Sequence, residues 1–428
     1  MITGVCNIGI DRTGDGGDGP VSCTIYRGMI SEGMMSGSEF RPNRLTLLAI
    51  LLCSMLMLMG GAAVAPALPM INDVFPDSEF MVSLIITLPS LAIAVLGFAI
   101  GALADRFGKV RVLMVSLIVF VAAGVSGYFI DDLTVMLVGR FILGAGIGGI
   151  SATVTALIAE YYMGMDRAKV MSYQSAAMGL GVLVLEFTGG SLAEISWRDP
   201  FLVYLIGVPI LIMCILSMRE PVHHEQGVQH DDAKTGQTNR GLVVVCYVTI
   251  FTLMLMAFLI PTKIPYYLEG IGVSSSLVGL FLGIHGISNM VVSLMYRRSV
   301  RVTGPFNLIG AGFVVMAVGL ALLTVSPTVA MALMTLILTG VGMGMIVPAV
   351  ANTLASQATA STSGKIMGGY TTSMNLGQFS ISLISVPLFA LAGSSYPGLF
   401  LMIGIVALVA GLLFLVVPRF VGSRPEAS

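Results

Sequence analysis

The chain has 428 residues, 56% hydrophobic and only 10% charged, with a formal net charge of −1 and a mean hydropathy of +0.96. A soluble domain carries about a quarter charged residues, so this composition cannot coat a water-facing surface. The net charge gives no sign of a nucleic-acid partner, and the five cysteines (Cys6, Cys23, Cys53, Cys214, Cys246) show neither metal nor redox spacing.

The apolar residues fall in runs long enough to cross a bilayer as helices, about 18 residues or more each. Open sheet edges cannot sit in lipid, and the 51 glycines suit close helix contacts there. The fold class expected is an all-α integral membrane protein. Residues 1–44 are polar and Gly-rich, without the apolar core of a cleavable signal. They read as a disordered cytoplasmic tail, or as an over-extended start given Met29, Met34 and Met35. Twelve apolar segments follow, at 45–69, 80–103, 110–130, 133–160, 170–193, 200–218, 241–263, 274–295, 305–325, 328–356, 365–391 and 396–417.

With the N-terminus inside, 18 of the 21 Lys and Arg residues fall on the same side of the twelve spans. Arg198 and Lys263 lie elsewhere, and Arg140 lies within a helix. The opposite loops carry acids, among them Asp73, Asp77, Glu79, Asp131, Asp132, Glu194, Asp199 and Glu269. The positive-inside rule then places both termini in the cytoplasm.

Residues 219–240 form the long polar stretch within the chain, with His223, His224 and His230. A flexible linker is a better reading than a metal site there, since nothing fixes ligand geometry. The linker separates a six-helix bundle at 45–218 from another at 241–418, followed by a cytoplasmic tail at 419–428. A shift of 196 residues aligns the halves: Gly144, Gly146 and Gly148 fall on Gly340, Gly342 and Gly344, and Gly181 falls on Gly377. Duplicated bundles rocking about a central site are the usual plan of a secondary transporter.

The stretch GALADRFGKVR, residues 101–111, lies between the second and third spans. As a topology signal it explains the bases, but not the spacing of Gly101, Leu103, Asp105, Arg106, Gly108, Lys109 and Arg111. With twelve spans, that spacing resembles the signature loop of the major facilitator superfamily, and the resemblance covers residues 45–418. It implies that Gly101, Asp105, Arg106, Gly108, Lys109 and Arg111 latch the cytoplasmic ends of the bundles in the outward-open state. Gly101 is expected to allow close helix packing, and Asp105 to cap the third helix or pair with a neighbouring base. The second half's loop, YRRSVRV, keeps the bases without the glycines and the acid. LVGRFILGAGIGG resembles the family's intramembrane arginine motif, with Arg140 in the arginine place and Gly144 and Gly148 as packing glycines. GLGVLVLEFTGG resembles its antiporter motif: Gly181, Gly189 and Gly190 fit, while Leu185 and Glu186 replace its Gly-Pro pair. With APALP at residues 65–69, the resemblance leans toward the drug:proton antiporter branch.

Charges inside a bilayer are costly and usually functional. Arg140 and Glu186 both lie roughly 10 Å from the outer ends of their helices at 1.5 Å per residue. Arg140 would hold a carboxylate or substrate; otherwise it snorkels to the headgroups. Glu186 would carry a proton; otherwise it is a neutral acid bonded to backbone. The two are expected to pair. His285 is a second proton relay or a bonded core histidine. Asn289, Asn375 and Gln378 line a cavity or glue helices. Lys263, near Pro261, Pro265, Tyr266 and Tyr267, reads as an interface anchor. The Met-rich stretches read as an adaptable apolar wall or plain packing. GIGG and GVGMG lie inside apolar helices and not at strand-to-helix turns, so no nucleotide loop is expected. The reading is a proton-coupled exporter of small amphipathic or hydrophobic compounds. It is expected to act as a monomer in the cell membrane, without cofactor and without catalysis. A proton-coupled symporter importing a small metabolite, and a non-transporting sensor or scaffold on the same fold, stand as alternatives.

Overall fold

The computed structural model describes residues 42–76, 79–221, 239–359 and 362–421. The expected tail at 1–41, the linker histidines and residues 422–428 lie outside them. The described secondary structure is helical throughout. The first half comprises α1 (Arg44–Leu56), α2 (Met59–Ala62), α3 (Leu68–Val74), α4 (Glu79–Phe107), α5 (Lys109–Phe129), α6 (Leu133–Tyr161) and α7 (Gly164–Ala193). A 3-10 stretch, Asp199–Ile206, then runs into α8 (Gly207–Ser217). The second half comprises α9 (Arg240–Ala257), α10 (Leu259–Gly270), α11 (Ser275–Thr303), α12 (Pro305–Leu322), α13 (Val329–Gln357), α14 (Ser363–Leu391) and α15 (Tyr396–Val421). Eleven spans are continuous, and the first is broken by a 53° bend between α1 and α2–α3, giving twelve.

Several spans start where a short polar side chain precedes the apolar run and accepts from the first free backbone N–H groups. Asn43 accepts from Thr46 N at 2.8 Å, Asp132 from Val135 N at 2.9 Å, and Asn239 from Leu242 N at 3.2 Å. The signature loop is capped differently. Asp105 is exposed and does not cap α5. Gly108 holds that place at φ 101°, a conformation that side chains avoid. Glu220, beyond the sixth span, takes the N–H groups of Lys109 and Val110 instead. A methyl group on Gly108 would lie 2.7 Å from the Glu220 carboxyl carbon, so the turn needs glycine twice over. Lys109 also pairs with Glu160.

The offset of 196 residues holds in the packing as well as in the letters. A methyl group at Gly144 would strike the carbonyl oxygen of Pro89; one at Gly340 would lie 2.5 Å from that of His285, the residue 196 places on. A methyl group at Gly146 would lie 3.1 and 3.0 Å from Ser116 O and Phe120 N, and one at Gly342 would lie 2.5 and 3.3 Å from Gly312 O and Met316 N, again the same offset. Gly181 meets Met55 as Gly377 meets Phe251. The halves are two copies of one six-helix bundle.

The helix ends form two faces. The basic face bears Arg106, Lys109, Arg111, Arg167, Lys169, Arg297, Arg298, Arg301 and Lys365. The acidic face bears Asp73, Glu79, Asp131, Asp132, Glu194, Asp199 and Glu269. Two equivalent seams join the bundles. In one, α7 packs on α11, where Gly279 leaves room for the Glu186 carbonyl and Gly190 for that of Ser275. In the other, α4 meets α14 through Thr87 and Ser382 hydroxyls at 2.6 Å and Ser90 Oγ donating to Gln378 Oε1 at 2.7 Å. These contacts run from mid-helix toward the acidic face. Toward the basic face the seam splays, and methyl groups at Gly97, Gly101, Gly364 or Gly368 would meet nothing within 4 Å. The close packing expected of Gly101 is therefore not made in this state.

Candidate functional site

The space between the bundles is closed at the acidic face by polar contacts. Lys263 Nζ lies 2.5 Å from Glu79 Oε1, joining α10 to α4. Lys263 is fully buried, and Tyr266 lies under its charge with 5.7 Å to the ring centre. It is a cross-bundle partner and not the interface anchor expected: the seventh span continues past it to Gly270, which buries it. Tyr266 OH donates to Leu68 O at 3.4 Å, and Glu194 accepts from Ser276 N at 3.2 Å. The Ser276 hydroxyl and N–H, with the Ser274 hydroxyl, hold the Glu194 carboxyl below the usual carboxylate range.

Glu186 lies on the α7 side of the seam with α11, buried, and its Oε2 has no hydrogen-bond partner. Buried polar atoms are nearly always paired, so an orphan carboxylate oxygen calls for an explanation. The residue 196 places on is Ser382, which closes the other seam against Thr87. The duplicated fold has thus put a titratable group at one of two equivalent contacts. Gln378, on the other seam, lies between Ser90 and Met254, with Nε2 3.7 Å from the sulfur. Gln174, absent from the sequence candidates, is buried with its Nε2 3.8 Å from Met57 Sδ.

The remaining candidates are held within one bundle. His285 places Nδ1 3.1 Å from Leu336 O and 3.3 Å from the Thr339 hydroxyl, tying α11 to α13. Asn375 donates to Thr371 O at 2.8 Å on its own helix, and Asn289 accepts weakly from Ser293 at 3.4 Å. Arg140 is 1% exposed and forms no ion pair among the described residues. The pair expected with Glu186 is not formed, because the two side chains leave their helices in different directions. Arg140 turns toward α5 and the 3-10 stretch, donating to Tyr204 OH at 3.0 Å and Gly124 O at 3.2 Å, with the Phe201 ring centre 4.5 Å away. Shared depth did not fix shared direction. Tyr204 and Glu79 were not singled out by the sequence; an acid opening a span at the acidic face was the sole signal for Glu79.

A family model, Major Facilitator Superfamily, matches residues 50–382 and 245–428. The tetracycline resistance protein, class C, of Escherichia coli is 27% identical over 319 residues, which is 71% of this chain and 79% of that protein. The quinolone resistance protein NorB of Staphylococcus aureus is 24% identical over 172 residues, 40% of this chain and 37% of its own. Among solved structures, a mutant of the nucleoside transporter NupG superposes with TM-score 0.73 at 12% identity, covering 87% of this chain and 99% of that one. The D-xylose-proton symporter follows at TM-score 0.69 and 18% identity, covering 87% and 97%. At such identities these structures speak for the fold alone. With twelve spans, two copies of one bundle and a family match over most of its length, the chain is a multi-pass membrane protein that belongs to the Major Facilitator Superfamily.

Proposed function

We propose that the chain is a proton-coupled exporter, an antiporter of small amphipathic or hydrophobic compounds, working as a monomer in the cell membrane. The basic face is the cytoplasmic one by the positive-inside rule, so the site described here is shut to the outside and open to the cytoplasm. The observation that carries the reading is Glu186, a carboxyl with an unpartnered oxygen in the seam that shuts the outside. A charge enclosed there is costly, and a neutral carboxyl far less so. The proton on Glu186 and closure of the outer seam therefore favour each other, by linkage. A proton taken up outside returns the carrier to its cytoplasm-facing form. Loss of that proton, as a compound loads, sends the carrier outward. That order is exchange of a proton for a compound.

Gln378, against the soft sulfur of Met254, offers a polar contact on an adaptable apolar wall. The resistance proteins named above are relatives by sequence, and their names support a drug-like cargo. Purified protein in proteoliposomes with an imposed pH gradient, using tetracycline and norfloxacin as probes, tests this. The expected result is accumulation on the acidic side of the membrane, against proton flow. Glu186→Gln should lose dependence on the gradient and keep downhill exchange. Accumulation running with the protons would make the chain a symporter, and no flux of any probe would favour a sensor. Normal proton-driven export by Glu186→Gln would move the proton to His285.

A further inference from the structure

The first span bends between α1 and α2, and it is irregular again where α2 ends at Ala62. In a continuous helix Met59 O and Gly60 O would accept from residues 63 and 64. Here the N–H groups of Ala63 and Val64 both go to Gly61 O. Backbone carbonyls cannot stay unpaired in a membrane. Tyr204 fills the place: its hydroxyl is 3.3 Å from both Met59 O and Gly60 O. A tyrosine hydroxyl has one proton and can also accept. Arg140 can only donate, and its Nη1 lies 3.0 Å from the same hydroxyl oxygen. Arg140 therefore occupies the accepting side of Tyr204 and aims its one proton at the broken helix.

The second bundle supplies an internal comparison. The residues 196 places on from Arg140 and Tyr204 are Leu336 and Phe400, which can neither donate nor accept. There the corresponding span, Arg240–Gly270, stays within the limits of a continuous one, whereas the first bends by 53°. Pro66 and Pro69 contribute to the bend, but the missing N–H groups of these prolines free the carbonyls of residues 62 and 65, not those that Tyr204 meets.

We propose that Arg140 and Tyr204 form a buried strut whose role is to position the broken first span. Arg140 thus acts through Tyr204 on backbone, and neither side chain needs to touch a substrate. The proposal does not rest on the transport reading, and its test does not measure transport. Spin labels at Leu45 and Val74, both near half-exposed at the two ends of the first span, in a cysteine-free background, report the bend by pulsed electron resonance. Tyr204→Phe removes one oxygen and leaves the ring. It is expected to lengthen and broaden the distance distribution toward the about 44 Å of a straight helix of this length at 1.5 Å per residue. Arg140→Met should do the same, and Arg140→Lys, which keeps a donor, should recover much of the native distribution. An unchanged distribution in Tyr204→Phe overturns the proposal, even where Arg140→Met does not fold. So does an Arg140→Lys distribution as altered as that of Arg140→Met.

Discussion

Lys263 and Glu79 meet across the two bundles, Nζ to Oε1 2.5 Å, with the lysine wholly enclosed and the glutamate about one-third exposed. Removing one partner of a buried pair leaves the other charge uncompensated and costs about 3–5 kcal/mol, less where one side reaches water. Glu79→Gln should therefore weaken the closed outer side by about 2–3 kcal/mol. The cost falls on this state alone, because opening the outer side lets water reach Lys263. Spin labels on Val74 and Leu277, exposed positions in opposite bundles, should show a larger fraction of long distances. An unaltered distribution would mean that the ion pair does not hold the bundles together.

Gly108 and Glu220 predict a stability effect. Glu220→Ala strips the cap from α5 and should cost about 1 kcal/mol, within the range of lost N-caps. Gly108→Ala combines a positive φ with a methyl group 2.7 Å from the Glu220 carboxyl carbon, and should cost more. Thermal unfolding in detergent checks the order: wild type, then Glu220→Ala, then Gly108→Ala. The double substitution should be less than additive, since removing the Glu220 carboxyl clears the clash.

The spans were legible because each is an apolar run closed by charge or glycine, and the observed ends lie within a few residues of the expected ones for most. The bundle repeat was legible because glycines at 144, 146 and 148 answer a backbone approach that recurs 196 residues on. Direction around a helix was not legible. The sequence placed Arg140 and Glu186 at one depth, but the apolar pattern is nearly uniform around these helices and gave no rotation. Nor could the letters show that Glu220 caps α5 or that Tyr204 serves the first span, because both contacts span more than 100 residues of chain. Lys263 is enclosed and not at the interface because the seventh span, expected to end at 263, continues to Gly270.

Acid outside the membrane should act on Glu194 with a definite sign. Hydrogen bonds from Ser276 and Ser274 hold its carboxyl below the ordinary value. A depressed folded value means that the contact is complete above the ordinary carboxylate range, near pH 4, and is lost as pH falls through the lowered value. The contact joins α11 to the chain leaving α7, so it belongs to the closed outer side. Between pH 7 and 5 the Val74–Leu277 distance should show no change traceable to Glu194. Over that range Glu194→Ala should lengthen it by a constant amount. A pH 7 to 5 change that disappears in Glu194→Ala would contradict the assignment.

Gly190 and Gly101 should trap opposite states. A side chain at Gly190 meets the closed outer seam at once, since a methyl group there would press into the Ser275 carbonyl, 3.0 Å from its carbon. Gly101 has open space in this structure, so Gly101→Leu is compatible with it. The seam between α4 and α14 pairs Thr87 with Ser382 and Ser90 with Gln378. Continued along both helices, it brings Gly101 opposite Gly368 once the cytoplasmic ends close. A leucine then obstructs closure on that side alone. Overpacking costs about 1–3 kcal/mol, which is about a 5- to 150-fold shift in the balance between states. Gly190→Leu should lengthen the Val74–Leu277 distance, and Gly101→Leu should leave it short. Both should lose transport of the probes by a similar factor while expressing near wild-type levels. If Gly101→Leu transports normally, the signature loop is not a latch, and the cytoplasmic ends close along some other line.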